Sequence, residues 1–420
     1  MITLKKWDIT GKRYFIVKMR NASNFIGNPW FTRKLEDIVT FINGKAHEMF
    51  ISEFGDFIVV NSKFISSEGE IAKFSNLKLC PAIKNDILMV MSDVPHGKAI
   101  AKCYIVEEDN KYTVNQRICI LRTNNDNPKF LYYSLNRNKY FLSFDDGVKQ
   151  TNLRKEDVLN CELNIPESTG EQTAIADALS DTDTLIENLE NFIKKKRFIK
   201  QGVVQELLSG RIRLNGFNSE WKGIKLGEIG KTYGGLSGKS KLDFEEGISP
   251  YIPFLNILNN PIINCSYFDY VNIRPDEKQH KAHKGDLFFN GSSETPEEVG
   301  MCSVLMDDIP ELYLNSFCFG FRLFNQEEIN GLFLSYYFRS YQGRKLIFSL
   351  AQGATRYNLS KTNFLQLKLK LPEVDEQTAI ANIIYDMDKE IAALEQKLLK
   401  YQMIKQGMMQ SLLNGKIRLI

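Results

Sequence analysis

The chain has 420 residues, enough for two or three domains that each bury a core. Hydrophobic residues make up 43% and charged residues 25%, as in ordinary soluble folds, and no apolar run approaches the roughly 20 residues that cross a bilayer. A net charge of only +3 excludes binding of polyanions through bulk charge, so any nucleic-acid surface must come from arrangement.

The N-terminus, MITLKKWDITGKR, lacks the apolar core of an export signal. The seven cysteines are odd in number and form no CxxC pair, which predicts reduced core residues and a cytoplasmic location. Residues 1–170 read as a module of mixed strands and short helices, with an extension over 1–29 suited to an extra strand pair. The slight basic surplus sits in this module, where 24 Lys and Arg face 20 Asp and Glu.

Residues 171–214 then read as one long helix, free of proline, roughly 54 Å long if continuous over Thr173 to Leu208. Ile175, Leu179, Ile186, Leu189 and Ile193 form a coiled-coil seam that Thr182 and Lys196 interrupt. The same stretch returns at a constant offset of 205 residues, Glu376 to Leu419 repeating Glu171 to Leu214 with about half of the positions identical. In the second copy the seam runs through Ile380, Ile384, Met387, Ile391, Leu394, Leu398 and Tyr401. The two helices are expected to pair with each other, and the matched glycines Gly202 and Gly407 to mark their close approach.

After the polar linker NGFNSE (215–220), residues 215–372 repeat the first module in landmarks but not in detail. Trp30-x-x-x-Lys34-Leu35 answers Trp221-x-x-x-Lys225-Leu226, and Asn85-Asp86-Ile87 answers Gly285-Asp286-Leu287. YTVNQRICILR (112–122) parallels LYLNSFCFGFRLF (312–324), each an alternating strand pattern. Gly147 to Leu153 answers Gly353 to Leu359, and each module runs into Pro-Glu before its helix (Pro166-Glu167, Pro372-Glu373). Residues 373–420 form the second helical segment. The order is module, helix, module, helix: one fold with two specificities.

Motifs for catalysis are missing. GGLSGKS (234–240) lacks the first glycine of a phosphate loop, since Tyr233 stands there. His280 and His283 have no further ligand at metal spacing and read as a solvated basic loop. The run Lys194-Lys195-Lys196-Arg197 reads equally as a solvated helix face or as phosphate contacts.

Two copies of EQTAIA…KQG…LL-x-G-[RK]-I-R-L, with the Trp-x4-Leu-x-[DE]-Ile module openings, resemble the specificity subunit of a type I restriction–modification system, from Trp30 to Leu419. The resemblance implies an α+β chain: two mixed α/β target-recognition domains separated by two long antiparallel helices, related by an internal pseudo-two-fold repeat. It implies a non-catalytic subunit that reads a bipartite, asymmetric site in double-stranded DNA. Two methyltransferase subunits would modify adenine with S-adenosylmethionine, two restriction subunits would use ATP and Mg, and this chain itself would carry no cofactor. Helix length would set the gap between half-sites, so one added helical turn would widen it.

Loops on rigid scaffolds and polar side chains suited to base edges give the candidate DNA contacts. In the first module these are Lys45, His96, Lys98 and Gln150. In the second they are Ser237, Lys239, Lys241, Asn290, Ser292 and Arg356. Joint replacement of Lys239 and Lys241 is expected to weaken only the second half-site. The alternative is a duplicated protein-binding adaptor with a coiled-coil strut, which the near-neutral charge favours.

Overall fold

The computed structural model describes residues 19–21, 29–353 and 356–419. Of the expected N-terminal strand pair, only Met19–Asn21 lies within them. It pairs antiparallel with Ile417–Leu419, near the other end of the chain.

The long helices span Thr169–Leu208 and Val374–Leu412. Both stop short of the sequence-based segments, which ran on through the IRL endings. At the stops Gly210 (φ 70°) and Gly415 (φ 65°) adopt left-handed backbone, the conformation that ends helices and favours glycine. Each glycine lies flat on an indole: a Cβ on Gly210 would stand 3.3 Å from Trp221, and one on Gly415 3.1 Å from Trp30.

Compactness divides the chain through both helices instead of between helix and module. One unit comprises residues up to Glu190 together with Lys397 onward, and the other comprises Asn191–Gln396. Each unit therefore holds one module, the start of the helix that follows it, and the end of the other helix.

In the first unit a four-stranded antiparallel sheet runs in the order Val39–Asn43, Ile118–Thr123, Ile87–Val90, Cys103–Ile105. Beside it Phe57–Val60 pairs antiparallel with Lys73–Ser75 and parallel with Tyr112–Val114. The second unit repeats this topology. Its four-stranded order is Gly230–Gly234, Cys318–Leu323, Leu287–Asn290, Cys302–Val304, and Ser249–Ile252 pairs antiparallel with Asp269–Val271 and parallel with Tyr313–Leu314. The continuous apolar runs ILMV and LFF follow from burial on both faces of these sheets. Ile87 and Met89 join one core while Leu88 and Val90 join another; Leu287 and Phe289 separate from Phe288 in the same way.

The helix ends complete the cores. Ile175, Ala176 and Leu179 from the central helix and Leu412 from the C-terminal helix pack with Leu35, Phe130 and Ile165. Ile380, Ala381 and Ile384 with Leu207 and Leu208 pack against Phe333 and Leu369. Within each unit the two helical segments run antiparallel, Asp183 meeting Lys405 in one and Lys200 meeting Asp388 in the other. These ion pairs are the same pair at the 205-residue offset. Leu189, Ile193 and Ile391 are buried, while Ile186, Leu394 and Leu398 are half-buried. The seam interruptions are accommodated: Thr182 Oγ1 donates to the Ala178 carbonyl (2.8 Å), and Lys196 reaches Glu390 (2.7 Å). In the basic run, Arg197 is likewise paired, with Glu395 (2.6 Å), while Lys194 and Lys195 are exposed.

The glycine expectation fails. Gly202 and Gly407 face outward, and a Cβ on either would meet nothing within 4 Å. Helix approach does not explain them.

The conserved letters of the repeat act as a lock. Glu171 takes both arms of the Arg418 guanidinium, and Glu376 takes those of Arg213 at 2.7 Å each. Gln172 accepts from the Asn127 N–H (2.7 Å) and donates to the Pro166 carbonyl (3.0 Å); Gln377 does the same for Asn330 (2.9 Å) and Pro372 (2.9 Å). Asn127 and Asn330 in turn cap the module helices Pro128–Leu135 and Gly331–Arg339. The N-cap, the strand leading into the long helix, and the far end of the partner helix are thereby fixed together.

Candidate nucleic-acid interface

Each four-stranded sheet is braced at one end by a buried carboxylate that holds a half-buried arginine. Asp86, 1% exposed, receives Arg122 through two bonds of 2.8 Å and the Ile83 N–H at 2.9 Å. Asp286, fully buried, receives Arg322 (2.8 and 2.7 Å), the His283 N–H (2.8 Å) and the Tyr233 hydroxyl (2.6 Å). Burial and the neighbouring carboxylate push the Tyr233 phenol far up, so it stays a donor. Opposite Tyr233 stands Gly320, where a Cβ would come within 2.1 Å of the ring. The first module places Ile42 against Ile120 at this point. The scaffold is shared and its filling is not.

The other end of each sheet carries the loops. In the first module Lys45 is exposed and its N–H donates to the Val114 carbonyl (2.9 Å). Ser92–Asp93 pairs with Thr151–Asn152, bringing Gln150 to the same end, where its amide donates to Ser92 Oγ (2.7 Å). His96, at φ 55°, lies against Gly147, so close that a Cβ there would stand 2.3 Å from the imidazole. Lys98 is exposed in a loop whose following N–H groups, Ala99 and Ile100, donate to Asp93 (2.6 and 3.0 Å). The structure thus gathers Lys45, His96 and Gln150 around one sheet end.

The second module sorts its candidates differently. Ser237, Lys241 and Arg356 are exposed, and among the described residues Lys241 makes only a 3.5 Å contact with Glu245 one turn on. Three candidates are internal. The Lys239 side chain is 4% exposed, its ammonium held by Glu277 and the Asn272 carbonyl. Asn290 is fully buried, donating to the Glu298 carbonyl (2.9 Å) and accepting from the Met301 N–H (2.6 Å). Ser292 is buried in a strand pair with Asn358. The Lys239 and Asn290 side chains satisfy buried charge and backbone, a demand that loop composition does not reveal, and Ser292 is buried by its strand.

The joint Lys239 and Lys241 replacement is therefore a poor probe of DNA contact. Lys241→Ala is expected to leave stability within about 0.5 kcal/mol of the parent. Lys239→Ala is expected to loosen the 237–240 and 272–279 segments, read as faster proteolysis there. Lys239 holds the Glu277 carboxyl down at about 2, from an ordinary value near 4.5. A depressed carboxylate contributes stability above its ordinary value and loses it as pH falls. Between pH 4.5 and 2 the parent loop should thus approach the behaviour of Lys239→Ala. Equal behaviour of the two alanine variants at neutral pH would contradict this assignment.

One pair of turns escaped the loop-based selection: Asn115 to Arg117 and Asn315 to Phe317, which lie at the same sheet ends. The signal was present in the matched strand patterns, where the asparagines align and the residues two positions later differ.

A model of the type I restriction modification DNA specificity domain matches the chain twice, over residues 28–196 and 218–401. The chain belongs to this family. It is 22% identical over 415 residues to the type I restriction enzyme MjaVIII specificity subunit of Methanocaldococcus jannaschii, covering 93% of each chain. Its fold is similar to that of the type I restriction–modification S subunit from M. genitalium, with TM-score 0.58 and 18% identity over 93% of this chain and 98% of that one. A chain from a structure of type I R-M complex assembly is similar at TM-score 0.55, with 16% identity, covering 92% of this chain and 98% of that one. For a DNA specificity chain, two modules of one topology with unlike loop ends are the expected division between scaffold and readout. Among the described residues no helix is long and apolar enough to cross a membrane.

Proposed function

We propose that this specificity chain reads a bipartite, asymmetric DNA site, one half with each module, and directs partner subunits that carry the chemistry. The observation that carries the reading is duplication with selective divergence. Sheet order, parallel and antiparallel pairing, helix caps and buried Asp–Arg braces are repeated. The exposed loop ends are not.

The partners are two copies of an adenine methyltransferase that binds S-adenosylmethionine, with two ATP- and Mg-dependent restriction subunits in the complete assembly. The outward Gln-Gly faces support paired, identical partners. Gln201, Gly202, Gln406 and Gly407 are exposed and identical between copies, although half of the surrounding positions have diverged. A glycine inside a helix costs about 1 kcal/mol relative to alanine. Among the described residues no contact at Gly202 or Gly407 accounts for keeping it, and close approach of an outside partner does.

The test is genome-wide adenine methylation in the native host with and without this gene. Loss of a single interrupted, asymmetric motif is expected. An unchanged map at an expressed locus would move the assignment toward a protein-binding adaptor.

A further inference from the structure

Both modules close the loop end of their sheet with the same backbone device. The Met91 N–H donates to the Arg117 carbonyl (2.9 Å), and the Met91 carbonyl accepts from the Leu153 N–H (2.8 Å). Gly291 makes the same two bonds, to Phe317 (2.8 Å) and from Leu359 (2.9 Å). The turns match too, the side chains of Asn115 and Asn315 accepting from the N–H of Arg117 (3.4 Å) and Phe317 (2.9 Å). One residue thereby ties the turn to the loop that carries Gln150 in one module and Arg356 in the other.

On this common frame stand different side chains. Arg117 and Gln150 are exposed, and Arg117 has no side-chain hydrogen bond or ion pair among the described residues. In the second module Phe317 is 56% exposed, and the Arg356 guanidinium lies 5.5 Å from the centre of its ring. Gly353 has φ 136°, and a Cβ there would strike the Arg356 carbonyl oxygen at 2.0 Å. An aromatic ring left in water adds little to folding, but it stiffens a guanidinium and offers an apolar face to a base or a thymine methyl. Arginine and glutamine are the side chains that pair bidentately with guanine and adenine edges.

We propose that Arg117 with Gln150, and Phe317 with Arg356, are the specificity-determining pairs of the two modules. Each acts on base edges of duplex DNA from the same position on the frame. The proposal rests on the DNA-reading function above and assigns it to four residues.

The test uses the full chain in complex with its methyltransferase partner. Duplexes carry the intact methylated motif, or the motif with one half or the other scrambled. Wild type should lose affinity when either half is scrambled. Phe317→Ala with Arg356→Ala should bind the intact site about 5- to 150-fold more weakly, the range of one good base contact, and become indifferent to one half only. Arg117→Ala with Gln150→Ala should become indifferent to the other half. All four side chains are exposed and, among the described residues, only Gln150 gives up side-chain hydrogen bonds, to Ser92 and Asn152, so melting temperatures should stay within about 4 °C of wild type; Phe317→Leu tests the ring separately from its bulk. Wild-type affinity and discrimination in either double variant would overturn the proposal, as would both variants losing the same half. A wild-type complex that binds all duplexes alike would instead remove the DNA-reading function, and this assignment with it.

Discussion

Asp286→Ala is expected to destabilise the second unit by about 3–5 kcal/mol, the cost of leaving a half-buried guanidinium and two further donors without their buried acceptor. The carboxylate is fully buried and serves three donors at once: Arg322, Tyr233 and the His283 N–H. The Arg322 side chain, 29% exposed, can recover some water, but Tyr233 is wedged over Gly320 and the His283 N–H is fixed in its turn, so two further donors lose their acceptor. For a unit of this size each kcal/mol shifts the melting temperature by about 2–4 °C, so a drop of roughly 6–20 °C is expected. Calorimetry should show it in one transition, with the first unit unmoved. Asp286→Asn, which keeps the shape and some acceptors, should fall between. A shift below about 2 °C would mean that the brace is not needed. The same variant should lose readout by the second module, because the loops stand on the sheet that the brace holds.

Glu171→Ala should cost the first unit a similar amount, about 3–5 kcal/mol. Glu171 and Arg418 are 7% and 9% exposed, and Arg418 also lies 5.5 Å from the centre of the Trp30 ring. The pair joins the start of the central helix to the far end of the chain. Its loss should free the strand Ile417–Leu419, seen as faster amide exchange there and at Met19–Asn21, its neighbour in the sheet. The equivalent Glu376→Ala should cost less, because the Arg213 side chain is 27% exposed and can recover water. Exchanging the partners, Glu171→Arg with Arg418→Glu, should restore part of the loss. If neither alanine variant differs from a surface substitution by more than about 0.5 kcal/mol, the lock reading is wrong.

Much of this organisation was legible from local pattern. Asp86 and Asp286, and Asn127 and Asn330, lie in or beside stretches that match between the modules, and each pair performs one task in the structure. The seam positions Ile175, Leu179, Ile380 and Ile384 are buried as their spacing requires. Periodicity works here because a helix presents neighbours three and four residues apart whatever the rest of the chain does.

The loop residues were harder. Lys239, Asn290 and Ser292 have the composition of a binding loop, yet Lys239 is taken by Glu277, Asn290 by backbone, and Ser292 is buried within a strand pair. Lys241 and Arg356, of the same chemical type, are exposed. Nothing in the residue type separates the two groups, because burial is set by segments tens of residues away.

By itself the sequence determined the duplication, the two long helices, the landmarks of one module repeated in the other, and the family they resemble. All of these are short-range repeats of residue type. Only the tertiary structure decided which helix end completes which module. Arg418 meets Glu171 across 247 residues and Arg213 meets Glu376 across 163. Either arginine is chemically fit for either carboxylate, so residue type cannot choose between them. The antiparallel course of the helices does, by bringing the end of each to the start of the other.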